Sequence, residues 1–300
     1  MRAELSATME KQPAAVAKYP TTQVVQPKMP KSYVDGEPPF GRFGSEEKAI
    51  KYLETLDDAT FRGLSDLYTV MATEKGGWMF TDRLYEDNPR TPLDRVIYNS
   101  RSCRSVHDRK PLVREQLIRF IEEFRGPEEM KIYDIGSGPS DYSVEALAKL
   151  KSNGRVPPLG AHVTCIDNNT EALQRGQQLA RNAGVGENIE YKRANIGHLL
   201  FKNGMANSDI VMAIGVICPF DDEIVLSLFR GVINNLKEGG KFYTCAMSPH
   251  PLKNVLDQAG WVLNYRSPEK LEALLKASGF EPEIYMDAHN LFVMGIGQKT

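Results

Sequence analysis

Residues 131–141 read K-I-Y-D-I-G-S-G-P-S-D, a short apolar run that ends in an acid and breaks into a glycine turn. Residues 131–135 have strand character, and Gly136, Ser137 and Gly138 follow at once. Val144, Leu147, Ala148 and Leu150 then recur at helical spacing. Glycines at such a turn allow positive φ and let a ligand approach bare backbone. A strand, a glycine turn and a helix N-terminus together predict a nucleotide-type pocket. The dinucleotide fingerprint needs a third glycine, and Asp141 stands in its place, where phosphate would meet a carboxylate. A cofactor with adenosine, no phosphate and a cationic amino-acid tail suits this turn better. A nicotinamide-dependent oxidoreductase is the weaker reading for the same reason.

Working outward, strands and helices alternate: β at 131–135, α at 141–152, β at 161–166, α at 170–183, β at 189–192. Such alternation predicts a parallel sheet with right-handed crossovers. Residues 153–160 (N-G-R-V-P-P-L-G) lengthen the first crossover, so the acid closing the second strand, Asp167, comes later than in a compact unit. The last stretch carries two strand-like runs, 283–286 and 291–296, joined by a short turn.

Taken together, these segments resemble the class I S-adenosylmethionine-dependent methyltransferases. D-I-G-S-G-P is similar to their first motif, and Asp167 matches the acid they place on the ribose hydroxyls. Asn195 and Ile196 stand where the family keeps residues near the adenine. Residues 209–217 (D-I-V-M-A-I-G-V-I), which include Gly215, resemble the fourth strand, and residues 236–246 resemble the Gly-Gly turn and fifth strand. The fold implied is a Rossmann-like, seven-stranded, mostly parallel sheet closed by an antiparallel C-terminal hairpin. A narrower similarity rests on Y-N-S (98–100), S-P-H-P (248–251), W-V-L-N-Y-R-S (261–267) and D-A-H-N-L-F (287–292). These resemble a bacterial family of methyltransferases often found behind an α/β-hydrolase domain, although no hydrolase segment is present in this sequence.

The chain has 300 residues, 41% of them hydrophobic and 25% charged, which is ordinary for a soluble globular protein. Lys+Arg 37 against Asp+Glu 39 gives a formal net charge of -2, so electrostatics supply no reason to expect nucleic acid as a partner. The four cysteines show no metal spacing, and no metal is expected. No run reaches the roughly 20 apolar residues of a membrane span, and no signal-like segment opens the chain, so the cytoplasm is the expected compartment. Three regions are expected: a flexible proline-bearing arm at 1–44, a helical cap at 45–127 and the cofactor-binding domain at 128–300. The cap begins at Ser45, an N-cap followed by Glu46 and Glu47, and Gly76-Gly77 closes its first unit. A further helical stretch is predicted from Leu93 through Phe124 with a break at Pro111.

Candidate cofactor residues are Asp134, Gly136, Ser137, Gly138, Asp141, Asp167, Asn168, Asn195, Ile196, Gly215 and Arg104. Asp134 either pairs with the cofactor's ammonium or caps the turn. Asp167 either grips the ribose or caps the next helix, a task Asn168 or Asn169 would do equally well. Arg104 offers a bidentate fork to the methionine carboxylate, against the alternative of a solvated basic face. His250, held between Pro249 and Pro251, is the first candidate for a general base, with Tyr98 as a second catalytic candidate. The rival reading makes His250 a loop residue that shapes the rim, while His107, His198 and His289 are read as structural. Trp261 and Tyr265 either wall the acceptor site or pack the core.

The resemblance implies methyl transfer to a small-molecule acceptor, with a homodimer left open. Two alternatives stay beside it. One is attack at the aminocarboxypropyl carbon, releasing methylthioadenosine, and the other is a non-catalytic cofactor-binding protein.

Overall fold

The computed structural model describes residues 40–75, 77–154 and 160–300. Most of the expected arm, residue Gly76 and most of the first crossover loop lie outside the described residues. Five parallel strands form one side of the sheet: β1 (Met130–Ile135), β2 (Ala161–Asp167), β3 (Ile189–Arg193), β4 (Ser208–Ala213) and β5 (Leu236–Met247). Strands β6 (Phe280–Met286) and β7 (Phe292–Lys299) make the closing hairpin, with β7 antiparallel to β5. The spatial order is β3-β2-β1-β4-β5-β7-β6, so the order reverses between β1 and β4. A crevice opens at that switch point, outside the carboxyl ends of the strands. The fold is the one the sequence predicts. The Gly-Gly turn is absorbed into β5 as an irregularity, with Gly239 at φ 75.

Helices ahead of the sheet are α1 (Glu46–Leu53), α2 (Asp58–Leu64), α3 (Asp66–Glu74), α4 (Trp78–Tyr85), α5 (Pro92–Asn99) and α6 (Arg101–Glu123). Within the sheet region come α7 (Asp141–Ser152), α8 (Thr170–Asn182), α9 (Ile196–Phe201), α10 (Asp222–Asn235), α11 (Lys253–Gln258) and α12 (Pro268–Ala277). Helices α6, α7 and α8 cover one face of the sheet, while α9, α10 and α12 cover the other. Among the described residues, no helix is long and apolar enough to cross a membrane.

One expectation about the cap is corrected, and one helix is added to it. The break in the long helical stretch falls at Ser100, not Pro111: Ser100 leaves helical geometry and its hydroxyl caps α6 by accepting from the Cys103 amide at 3.3 Å. Pro111 forgoes one backbone donor inside α6, whose apolar face of Val106, Val113, Leu117 and Ile121 is buried along both flanks and holds it continuous. Helix α4 has no counterpart in the sequence reading. Its residues do not repeat an apolar period, because the stripe it turns inward mixes aromatic and polar side chains.

A buried carboxylate ties the cap together. Asp94 is fully buried and accepts from the Ser65 hydroxyl (2.6 Å) and from the amides of Leu67 (3.0 Å), Thr91 (3.0 Å) and Arg90 (3.2 Å). Thr91 returns the bond by accepting from the Asp94 amide at 3.0 Å, which completes a capping box on α5. Asp94→Ala would orphan several buried donors at once. It is expected to cost roughly 3 kcal/mol of stability, measured by urea denaturation.

Candidate active site

The turn after β1 is shaped for backbone approach. Gly136 and Gly138 have φ 62 and 54, and Ser140 also sits in the left-handed region at φ 56. A Cβ on Gly136 would lie 2.6 Å from Val216 Cγ2, and one on Gly138 would lie 3.3 Å from Cβ of Trp78, so a cap helix rests on the turn. Asp167 at the end of β2 is already oriented. Its carboxylate accepts from the Gly138 amide at 2.9 Å and the Asn169 amide at 2.8 Å, while Asn169 caps α8.

Two cavities flank this turn. One, of about 390 Å³, lies between the cap and the strand ends, with Trp78, Asp82, Tyr85, Arg109, Asp141 and Trp261 among its walls. The other, of about 820 Å³, lies against α9 and α10 and is lined by Asn195, Ile196, Val216 and Phe220 among others. Gly136, Asp167, Asn168 and Gly215 line both. A ligand lying over these four residues would reach into each cavity.

The structure therefore brings together Gly136, Ser137, Gly138, Asp141, Asp167, Asn168, Asn195, Ile196 and Gly215. Asn195 also caps α9 by accepting from the His198 amide at 3.2 Å. Four other candidates are placed elsewhere. Asp134 is fully buried below the turn and lines neither cavity; its two oxygens accept from the hydroxyls of Ser140 and, at 3.0 Å, Tyr142. Burial pushes its pKa up to about 7 against the opposing pull of those hydroxyls, so it ties the turn to α7 and offers the cofactor's ammonium no free oxygen. Arg104 lines neither cavity, and its guanidinium donates to Asn99 Oδ1 at 2.9 Å. Tyr98 is buried with its hydroxyl on the Arg83 carbonyl, away from both cavities.

His250 is the fourth. It is 7% exposed, with Nδ1 at 3.0 Å from Ser102 Oγ and Nε2 at 3.2 Å from the Tyr265 hydroxyl. Burial lowers its pKa to about 4, and both ring nitrogens are occupied by protein groups. The rim-shaping alternative is the one its geometry supports, since it fastens the loop after β5 to α6. Tyr265 is engaged with it, whereas Trp261 does face the cap-side cavity and meets Phe80 edge-on at 5.4 Å. Among the described residues, no histidine lines either cavity.

Arg109 is the residue that sequence reasoning missed. It is 9% exposed, lies on α6 between the cap and β4, and stacks over Phe292 at 4.8 Å. Its Nη1 would be 3.0 Å from a Cβ on Gly215, so glycine there leaves room for the guanidinium. The R-S-C-R-S-V-H-D-R run holds three arginines, and only the helix's rotation decides which one faces inward.

Residues 127–279 match a family described as a methyltransferase domain. The chain belongs to this methyltransferase domain family. No curated protein shows a significant sequence match to it. Among solved structures, a protein from Bordetella parapertussis described as a possible exported protein superposes with a TM-score of 0.64 at 19% identity, covering 85% of this chain and 93% of that one. Magnesium protoporphyrin IX methyltransferase from Synechocystis PCC 6803, solved with bound S-adenosylhomocysteine, superposes with a TM-score of 0.56 at 13% identity, covering 78% of this chain and 100% of that one. At such identities the likeness is one of fold. S-adenosylmethionine, the cofactor that goes with this family and fold, fits the methyltransferase's residues. The Gly136 cradle is one that a Cβ would fill, and the carboxylate of Asp167 is fixed beside it.

Gly136→Val would strain a positive φ and drive a branched side chain into Val216. Calorimetry is expected to show cofactor binding lost while circular dichroism keeps most of the sheet signal. For His250, a pKa of about 4 against 6.5 when unfolded means that the neutral ring's contribution is complete above pH 6.5. That contribution, about 3 kcal/mol, is lost as pH falls from 6.5 towards 4. Denaturant titrations across this range should show His250→Asn flattening the slope.

Proposed function

We propose that the protein transfers a methyl group from S-adenosylmethionine to a small-molecule acceptor that enters between α4 and the ends of β4, β5 and β7. The observation that carries this reading is the shared floor of Gly136, Asp167, Asn168 and Gly215 beneath two cavities of different character. Asp167 holds the ribose hydroxyls, and Asn195 and Ile196 border the adenine. The amino-acid tail points into the cap-side cavity. Arg109 takes its carboxylate in place of Arg104, for the buried guanidinium faces that space and its Nε has no hydrogen-bond partner among the described residues.

When bound, the cofactor supplies an activated methyl group on a sulfonium. The protein's part is to hold the acceptor in line with that methyl and to exclude water. Residues 45–127 do this as a cap over the domain at 128–300. Trp78, Trp261, Leu263, Met247 and Phe292 give the cap-side cavity apolar walls suited to a compact organic acceptor. Glu74 on the same cavity wall carries a carboxylate able to take a proton from an acceptor. The buried, unpaired cysteines Cys103, Cys165, Cys218 and Cys245 agree with a reducing compartment such as the cytoplasm.

Asp167→Ala is expected to weaken cofactor binding by roughly 2 to 4 kcal/mol, the range for truncating a charged, partly buried hydrogen-bond partner. Unchanged affinity in a folded variant would remove the ribose assignment. Turnover with an acceptor should release S-adenosylhomocysteine; release of methylthioadenosine would instead establish attack at the aminocarboxypropyl carbon.

A further inference from the structure

Helix α4 turns Trp78, Thr81, Asp82 and Tyr85 to the cap-side cavity, at spacings of three and four that place them on one face. Asp82 is the charged member. Its side chain is 17% exposed, and Arg175 Nε stands 3.7 Å from it, beyond hydrogen-bond distance. Asp141, the first residue of α7, lines the same cavity from the sheet side. Facing them is Arg109, nine-tenths buried and with an unpartnered Nε. Glu74, Lys75 and the floor residue Asp167 also line this cavity; among its charged groups, Asp82, Asp141 and Arg109 are the set whose signs complement a zwitterionic amino acid.

We propose that Asp82 on the cap and Asp141 on α7 together seat the α-ammonium of the cofactor's amino-acid tail, so that the cap itself reads the cofactor. This deepens the S-adenosylmethionine reading above and rests on it. Glycine at position 141 would leave the ammonium to backbone carbonyls, whereas this chain brings a side chain from each side of the crevice. Burial raises the pKa of both acids, and the Asp82 charge adds to the rise at Asp141. Lys110 and Arg175 near both acids, with Arg83 near Asp82, pull the other way, and Glu86 near Asp82 adds to the rise. Lys110 is itself held by Glu145 at 2.7 Å. A ligand ammonium placed between the two carboxylates would offset their repulsion and burial.

The test compares three ligands by calorimetry on the full chain: S-adenosylhomocysteine, its deaminated analogue that keeps the carboxylate, and 5′-methylthioadenosine, which lacks the tail. Wild type should bind S-adenosylhomocysteine about 10- to 100-fold more tightly than the deaminated analogue, as for loss of a charge-assisted hydrogen bond. Asp82→Asn should shrink that preference to within about threefold and leave 5′-methylthioadenosine affinity nearly unchanged. Arg175→Gln should keep the preference, as it would not if Asp82 acted only through that ion pair. Equal binding of the two tailed ligands by wild type overturns the proposal without any mutant. Parallel weakening of all three ligands in Asp82→Asn overturns it as well, by making Asp82 a structural residue. Asp167→Ala serves as the separate control, because it should weaken all three ligands; if it weakens none, the nucleoside reading fails independently of the tail.

Discussion

The seam along α6 is the contact on which the site depends. Ser102, Ser105 and Asp108 follow one another at spacings of three, and each meets a polar group from the C-terminal half: His250, Asp287 and His289. A helix fastened at three successive turns cannot rotate or slide, so Arg109 is held over Gly215 and the preceding cap helices are held over the glycine turn. The bonds of Ser102 and Ser105 are buried and that of Asp108 is half-buried, so loss of a partner at either serine would leave the other group unsatisfied away from water. Asp108 illustrates the balance: burial works against its charge, yet bonds from His107 and His289 hold its pKa down to about 2.

This seam explains the spread of the chain's unusual motifs. Y-N-S, S-P-H-P and D-A-H-N-L-F lie far apart in sequence, and each has residues at or beside the junction of α6 with the ends of β5 and β7. In W-V-L-N-Y-R-S, Trp261 reaches the cavity, Tyr265 meets His250, and Arg266 is buried on the carbonyls of Ile217, Phe220 and Asn264. Their shared task is to assemble the rim of the crevice. Chemistry-bearing residue types in these motifs are therefore consumed by structure, as the engagement of both His250 nitrogens shows.

Charge is also divided across the site. Asp134 beneath the turn has a pKa raised to about 7 and is surrounded by hydroxyls, while Asp167 beside it is held by backbone amides. The two carboxylates lie at the carboxyl ends of the adjacent strands β1 and β2 and have different environments. One supports the turn from below, and the other faces the space a ligand would occupy. Above the turn, acids from α4 and α7 and a guanidinium from α6 give the cap-side cavity both signs of charge. The cavity under α10 is bordered by the more apolar Ile196, Val216, Phe220 and Ile224.

Local pattern determined the alternation of strands and helices, the glycine turn and the acid Asp167 that closes the second strand, while the resemblance supplied the seven-stranded sheet and pointed to Asn195, Ile196 and Gly215. Each of these residues sits on a strand end or turn, where direction follows directly from backbone periodicity and from the requirement for positive φ. The cap was legible as helices but not as a site. Helix α4 has no apolar period because the side it turns to the cavity is not apolar, and the sequence pointed to Arg104 rather than Arg109 because only packing sets the rotation that separates neighbouring arginines on a helix. His250 and Tyr98 were misplaced for a related reason, since burial and hydrogen-bond partners come from segments far away in the chain. The sequence could show that these groups were capable of chemistry; only the tertiary structure decided which of them face the crevice and which are spent holding it together.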